Sequence, residues 1–331
     1  MFIFDCESHM LPSPSDINYF PFYKMNQRAV KNLVYRLEPN TVFGIKEILS
    51  AEETRLPRKR RLGHAPGESG DAFIEKMDEA GIAMSCVLPE SFLPMSNGAR
   101  MESTNGWLAN EIRKYPDRLI GVCNVGPLIW RTVKNAIWEL EYLVKEMNFR
   151  ATKFYPVDDT DINNHELWPY YAKIQELGIP LFIHTGASWC IPGRSTRCSP
   201  WLLEDVCEEF PDLTILAYHM GYPYTDELNI CALKYPNLYI GTSLLPYFGH
   251  GNSRKSQILF GEAMRFAGID KLVWGTDLGP SKDEVELLQK FQISEDVHKE
   301  YGYPLLSDED RAKWAGLNLA NILKISPTIV G

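Results

Sequence analysis

Apolar residues in this chain fall into short continuous runs, separated by longer stretches with helical spacing. The runs begin near positions 2, 83, 119, 151, 181, 214, 238 and 272. From position 71 onward the intervening stretches, among them DAFIEKMDEAGI, TVKNAIWELEYLVKEMNF and SQILFGEAMRFAGI, place apolar residues on one face of a helix. The first ends near Gly81, and Pro169 belongs in the first turn of ELWPYYAKIQELG. Runs that are apolar throughout suit parallel strands covered by helices on their outer side. Eight such strands alternating with helices predict an α/β fold, a (β/α)8 TIM barrel, with an open doubly wound sheet as the other arrangement of the same units. The region of about 11–70 breaks the rhythm. It is too long for an ordinary connection, so it predicts an insertion or cap after the first strand of a single domain spanning 1–331.

The polar residues at the strand ends suggest chemistry, because barrels of this kind carry their active sites at the C-terminal ends of their strands. The first run, FIFD, leads into Glu7 and His9, two positions apart and on one face of an extended strand, with Cys6 expected on the other. The fourth strand carries Lys153, and the fifth, sixth and eighth end at His184, His219 and Asp277. Glu7, His9, His184 and Asp277 offer two nitrogen and two oxygen donors. That set suits one divalent metal ion, Zn2+ or Mn2+, better than a thiolate-seeking metal.

Composition narrows the partners. Among 331 residues, 34 Lys plus Arg stand against 43 Asp plus Glu, a net charge of -9, so nucleic acid is not an expected partner. The basic run Arg58–Arg61 reads as a solvated loop face. The seven cysteines show no CxxC pairing and read as reduced thiols of a cytoplasmic protein. No run is long enough to span a membrane, and the N-terminus does not read as a signal peptide.

Six stretches carry a family resemblance: DCESH at 5–9, FYP at 154–156, FIHTG at 182–186, AYHMGYP at 217–223, WGTD at 274–277 and NLANILKI at 318–325. Together they resemble the amidohydrolase superfamily, in the branch of aminocarboxymuconate semialdehyde and γ-resorcylate decarboxylases. The resemblance implies a mononuclear metal held by Glu7, His9, His184 and Asp277, with His219 and Asp277 as catalytic residues. It assigns Lys153 no bridging role. The Glu-x-His form of the first motif looks like the aromatic-acid decarboxylases. Where several of those carry an acid after the sixth-strand histidine, this chain has Tyr222. The expected activity is non-oxidative decarboxylation of a small aromatic or unsaturated carboxylic acid. The alternative is hydrolysis of a lactone or another activated carboxyl derivative.

Residues just beyond the strand ends are candidates for specificity. Arg194 and Arg197 can pair with a substrate carboxylate, and Trp189 and Tyr222 can stack on a flat substrate. Glu90, Ser91, Tyr224, Leu245 and Phe248 occupy similar positions. The aromatic cluster Tyr19, Phe20, Phe22 and Tyr23 in the insertion suggests a partner surface, and a homodimer is the expected assembly.

Overall fold

The computed structural model describes residues 1–10, 69–89, 104–188, 193–243, 245, 252–277 and 279–327. Residues 11–68, most of the expected insertion at about 11–70 and including the basic run and the aromatic cluster, lie outside them, as do Glu90, Ser91, Trp189 and Phe248.

Eight strands form one sheet in chain order: β1 (Phe4–His9), β2 (Met84–Leu88), β3 (Leu119–Cys123), β4 (Ala151–Phe154), β5 (Leu181–Ile183), β6 (Ile215–Ala217), β7 (Leu238–Gly241) and β8 (Leu272–Val273). Every neighbouring pair is parallel. The sheet closes on itself because β1 meets the chain beyond β8. Cys6 N donates to Trp274 O, His9 N to Asp277 O, and Asp277 N to Glu7 O. This is the expected (β/α)8 barrel, and the strand starts fall within two residues of the apolar runs.

A helix follows each strand: α1 (Gly70–Ala80), α2 (Thr104–Ile112), α3 (Val133–Met147), α4 (Trp168–Leu177), α5 (Leu203–Glu209), α6 (Thr225–Lys234), α7 (Arg254–Phe266) and α8 (Lys282–Lys290). Their limits follow capping chemistry. Ser69, Ser253 and Ser281 accept backbone N–H groups at the starts of α1, α7 and α8. Gly81 and Gly178 end α1 and α4 in the left-handed conformation, with φ of 76° and 67°. Pro169 sits in the first turn of α4, where its missing N–H costs no helical bond.

Burial separates two cores. The outer one, between strands and helices, includes Ile3, Val87, Leu181, Ile215 and Leu272. The inner one fills the barrel with Phe4, Cys6, Met84, Cys86, Val122, Phe182, Leu216 and Tyr218. The six described cysteines are buried, and Cys6, Cys86, Cys123, Cys207 and Cys231 are free thiols. Among the described residues no helix is long and apolar enough to cross a membrane.

The β1–β2 register corrects one expectation. Phe4 and Asp5 pair with Met84 and Ser85, but Ser8 and His9 pair with Val87 and Leu88, so β1 holds one extra residue. This bulge lies at Cys6–Glu7. Cys6 belongs to the inner core. Glu7 also points inward, since its carboxylate meets Lys153, whose register partner Phe182 is an inner residue. Cys6 and Glu7 therefore share a face, rather than opposing each other, because the bulge interrupts the strand's alternation.

Asp5, facing the seam between β1 and β8, ties the closure together. Its carboxylate accepts from Glu7 N and Thr276 N, each at 3.0 Å, and from Ser8 Oγ and Thr276 Oγ1, each at 2.6 Å. Burial raises its pKa to about 6 despite these four donors. Asp5→Ala strands Glu7 N and Thr276 N in the interior and leaves the two hydroxyls only each other and Glu7 O. It is expected to lower stability by about 3 kcal/mol, read from the denaturant midpoint. A loss below about 1 kcal/mol would contradict this role for the seam.

Candidate metal centre

The C-terminal ends of six strands bring polar groups into the barrel mouth. Glu7 and His9 come from β1 and Lys153 from β4, with Tyr155 just after it. His184 follows β5, His219 follows β6, Ser243 follows β7 and Asp277 follows β8. Asp277, His219 and Met220 have positive φ, at 68°, 61° and 51°. Side-chain-bearing residues rarely adopt this conformation, and where it occurs at a site the surrounding fold enforces it.

Among the described residues, the donor atoms of Glu7, His219 and Asp277 form one group, all within 4.8 Å of one another and all buried. The other two expected ligands border it. His9 Nε2 lies 3.4 Å from Asp277 Oδ1 and 3.2 Å from the Tyr155 hydroxyl. His184 Nδ1 lies 3.0 Å from His219 Nε2. Two buried carboxylates beside three imidazoles form an oxygen–nitrogen donor set suited to a divalent ion. The residues thus fit the metal that the sequence motifs imply.

Lys153 is part of this centre. Its Nζ stands 2.5 Å from Glu7 Oε1, both side chains are fully buried, and the ammonium lies 3.6 Å from the centroid of the Tyr218 ring. Burial pulls the Lys153 pKa down, while the Glu7 charge opposes that shift. The other oxygen of Glu7 accepts from Ser243 Oγ at 2.6 Å, and Ser243 Oγ lies 3.0 Å from His219 Nδ1. The chain continues from His219 to His184, whose Nε2 faces Ala187 O at 3.2 Å. It runs from a carboxylate to a carbonyl, acceptors at both ends. With neutral imidazoles, the serine and the two rings bring three protons to these four contacts. Burial, with His219 and Lys153 nearby, holds the His184 pKa well below the usual imidazole range. Burial alone would raise the Asp277 pKa. The His9 hydrogen bond and the charges of His219, His9 and Lys153 outweigh it and hold the carboxyl at about 2.

The substrate-binding candidates are more scattered. Arg194 is exposed, and its N–H donates to Val157 O. Arg197 is half-buried, and its charge acts on Asp159, which accepts from the N–H groups of Leu128 and Ile129. The Tyr222 hydroxyl accepts from Lys255 Nζ at 2.9 Å, and its carbonyl accepts from Ala187 N at 2.6 Å. Gly186 is required at that crossing, because a Cβ there would lie 2.1 Å from Tyr222 O.

Sequence reasoning did not place Ser243, Tyr155 or Tyr218 in the centre. Tyr155 was visible within FYP, and Ser243 stood two residues after the end of β7. Lys153 had a clear signal, as a lysine inside an otherwise uncharged buried strand.

Three relatives bear on the chain. It is 29% identical over 202 residues to a dihydroorotase from Yersinia pseudotuberculosis serotype O:1b (strain IP 31758), a match covering 50% of this chain and 56% of that protein. The chain thus spans about half the length of the curated relatives it matches. A dihydroxybenzoic acid decarboxylase from Polaromonas sp. JS666, solved with manganese and the inhibitor 2-nitroresorcinol, superposes with a TM-score of 0.60 at 16% identity, over 98% of this chain and 97% of that one. A probable 2-pyrone-4,6-dicarboxylic acid hydrolase from Acinetobacter baumannii, with citric acid bound, superposes with a TM-score of 0.55 at 14% identity, over 98% and 100%. At these identities the superpositions establish the shared fold alone. The family model described as Amidohydrolase matches residues 53–325, most of the chain, and the protein is accordingly an enzyme of the amidohydrolase family.

Proposed function

We propose that the protein is a metal-dependent hydrolase of a small carboxylic-acid derivative, a lactone or another activated carboxyl compound. The observation that carries this reading is the hydrogen-bonded chain Glu7–Ser243–His219–His184 running beside the Asp277 carboxylate. It is a proton-handling array next to a pair of buried acids. Glu7 and Asp277, with His9 and His184 as further donors, would hold one Zn2+ or Mn2+ ion. When bound, that ion supplies Lewis-acid activation of the substrate carbonyl and of water. Asp277 accepts the proton of the attacking water at its carboxylate. His219, oriented by Ser243 at Nδ1, takes that proton from Asp277 and delivers it to the leaving group, so both side chains return to their starting states. Arg194, Arg197, Trp189 and Tyr222 are proposed to meet the substrate's carboxylate and flat face.

Decarboxylation of an aromatic or unsaturated acid is the second reading. The Glu7-Ser8-His9 form of the first motif favours it, and the fold shared with a dihydroxybenzoic acid decarboxylase is compatible with it. Against it stands Tyr222, whose hydroxyl meets Lys255 where several aromatic-acid decarboxylases of that branch carry an acid.

The test is an assay of the purified chain, stripped of metal and reloaded with Zn2+ or Mn2+, against simple lactones and salicylate-like acids. Acid release from a lactone, abolished by chelation and restored by metal, is the expected result. Carbon dioxide from the acids with no lactone turnover would overturn hydrolysis in favour of the second reading.

A further inference from the structure

We propose that Tyr218 is a positioning residue that holds the β1 bulge in place and so keeps Glu7 turned into the barrel; this rests on Glu7 being a metal-holding carboxylate. In β1, Phe4 faces inward and Asp5 outward. Strict alternation would then send Glu7 and His9 outward and Ser8 inward. The extra residue at Cys6–Glu7 reverses that, and His9 pairs with the inner residue Leu88. Glu7 and His9 enter the centre only while the bulge persists.

Tyr218 spans the barrel to the bulge. Fully buried after β6, it donates its hydroxyl to Cys6 O at 2.7 Å, 212 residues away in sequence. The Tyr218 pKa is pushed well up by burial, so the phenol stays protonated and remains a donor. The same ring supports the Lys153 ammonium that meets Glu7, and it packs on Phe182 with centroids 5.6 Å apart. Two glycines make room for the strut. A Cβ on Gly241 would lie 2.7 Å from Tyr218 Cδ1, and one on Gly275 would lie 2.7 Å from Cys6 Sγ. Tyr218 also directly precedes His219, so one side chain couples the backbone of β1 to the end of β6. Without the hydroxyl, the buried Cys6 carbonyl loses this donor, and the bulge loses its cross-barrel tie.

The experiment compares the full chain with Tyr218→Phe and with Tyr170→Phe. Tyr170 is equally buried, but its hydroxyl meets Thr152 Oγ1 outside the centre. Mn2+ binding is followed by the resonance signal of the free ion, and a crystal structure of Tyr218→Phe is determined without metal. Tyr218→Phe is expected to bind Mn2+ about 10- to 100-fold more weakly, with Tyr170→Phe near the parent value and the Glu7 carboxylate drawn away from Ser243. Parent-like affinity in Tyr218→Phe, or equal weakening in both variants, overturns the proposal. Failure of the parent chain itself to bind Mn2+ or Zn2+ counts against the metal reading of the site. The crystal structure then decides alone: a retained bulge with Glu7 still on Ser243 overturns the strut, and a lost one upholds it.

Discussion

Replacing Asp277 with Asn is expected to reduce turnover about a thousandfold, the scale of losing a positioned proton acceptor, without unfolding the chain. The amide keeps the shape of the side chain and can still accept from His9, so the seam at Asp277 N and Asp277 O is untouched. What disappears is one of two buried negative charges, a proton acceptor and an oxygen donor at once. The measurement pairs steady-state kinetics on the substrate identified by the lactone and acid assay with circular dichroism of the variant. Turnover within tenfold of the parent would remove Asp277 from the chemistry.

The second large effect is on stability. Lys153→Met leaves the Glu7 carboxylate buried without its cation, because both side chains are sealed from solvent. Breaking a buried pair in this way costs about 3–5 kcal/mol. The loss should appear in denaturant titrations of chelated protein, where no added ion can replace the ammonium. The double variant Glu7→Gln, Lys153→Met removes both charges and is expected to recover most of it. A single-variant loss under about 1 kcal/mol, or a double variant no better than the single, would show that the pair does not matter to folding. The lysine contributes twice here, since it neutralises Glu7 during folding and fixes one of its oxygens in the finished site.

Much of the centre was visible as residue types at strand ends. His184, His219 and Asp277 each follow an apolar run, and the barrel brings the three ends to one rim. Among the described residues, however, the group of donors that converges on one point joins His219 to Glu7 and Asp277, whereas the motifs favour His9 and His184 as the ligating imidazoles. Spacing along a strand cannot rank donors that arrive from different strands, because their separation depends on how the barrel closes. The specificity residues were less legible. Arg197 interacts with Asp159 and Tyr222 with Lys255, partners that no local pattern pairs.

The sequence by itself determined the eight strands and their covering helices, since each depends on local apolar patterning and capping, and the structure decided that the strands run in chain order around a closed barrel. It also determined that Glu7 and His9 share a face, because their two-residue spacing lies on one side of the bulge. Only the tertiary structure decided which face that is. Counting alternation from Phe4 turns both residues outward, and one extra residue at Cys6–Glu7 turns both inward. The groups around that bulge come from far along the chain: Lys153 on Glu7, Ser243 on Glu7 and Tyr218 on Cys6 O. Such contacts exist only after the barrel has closed, so no window of local sequence contains them.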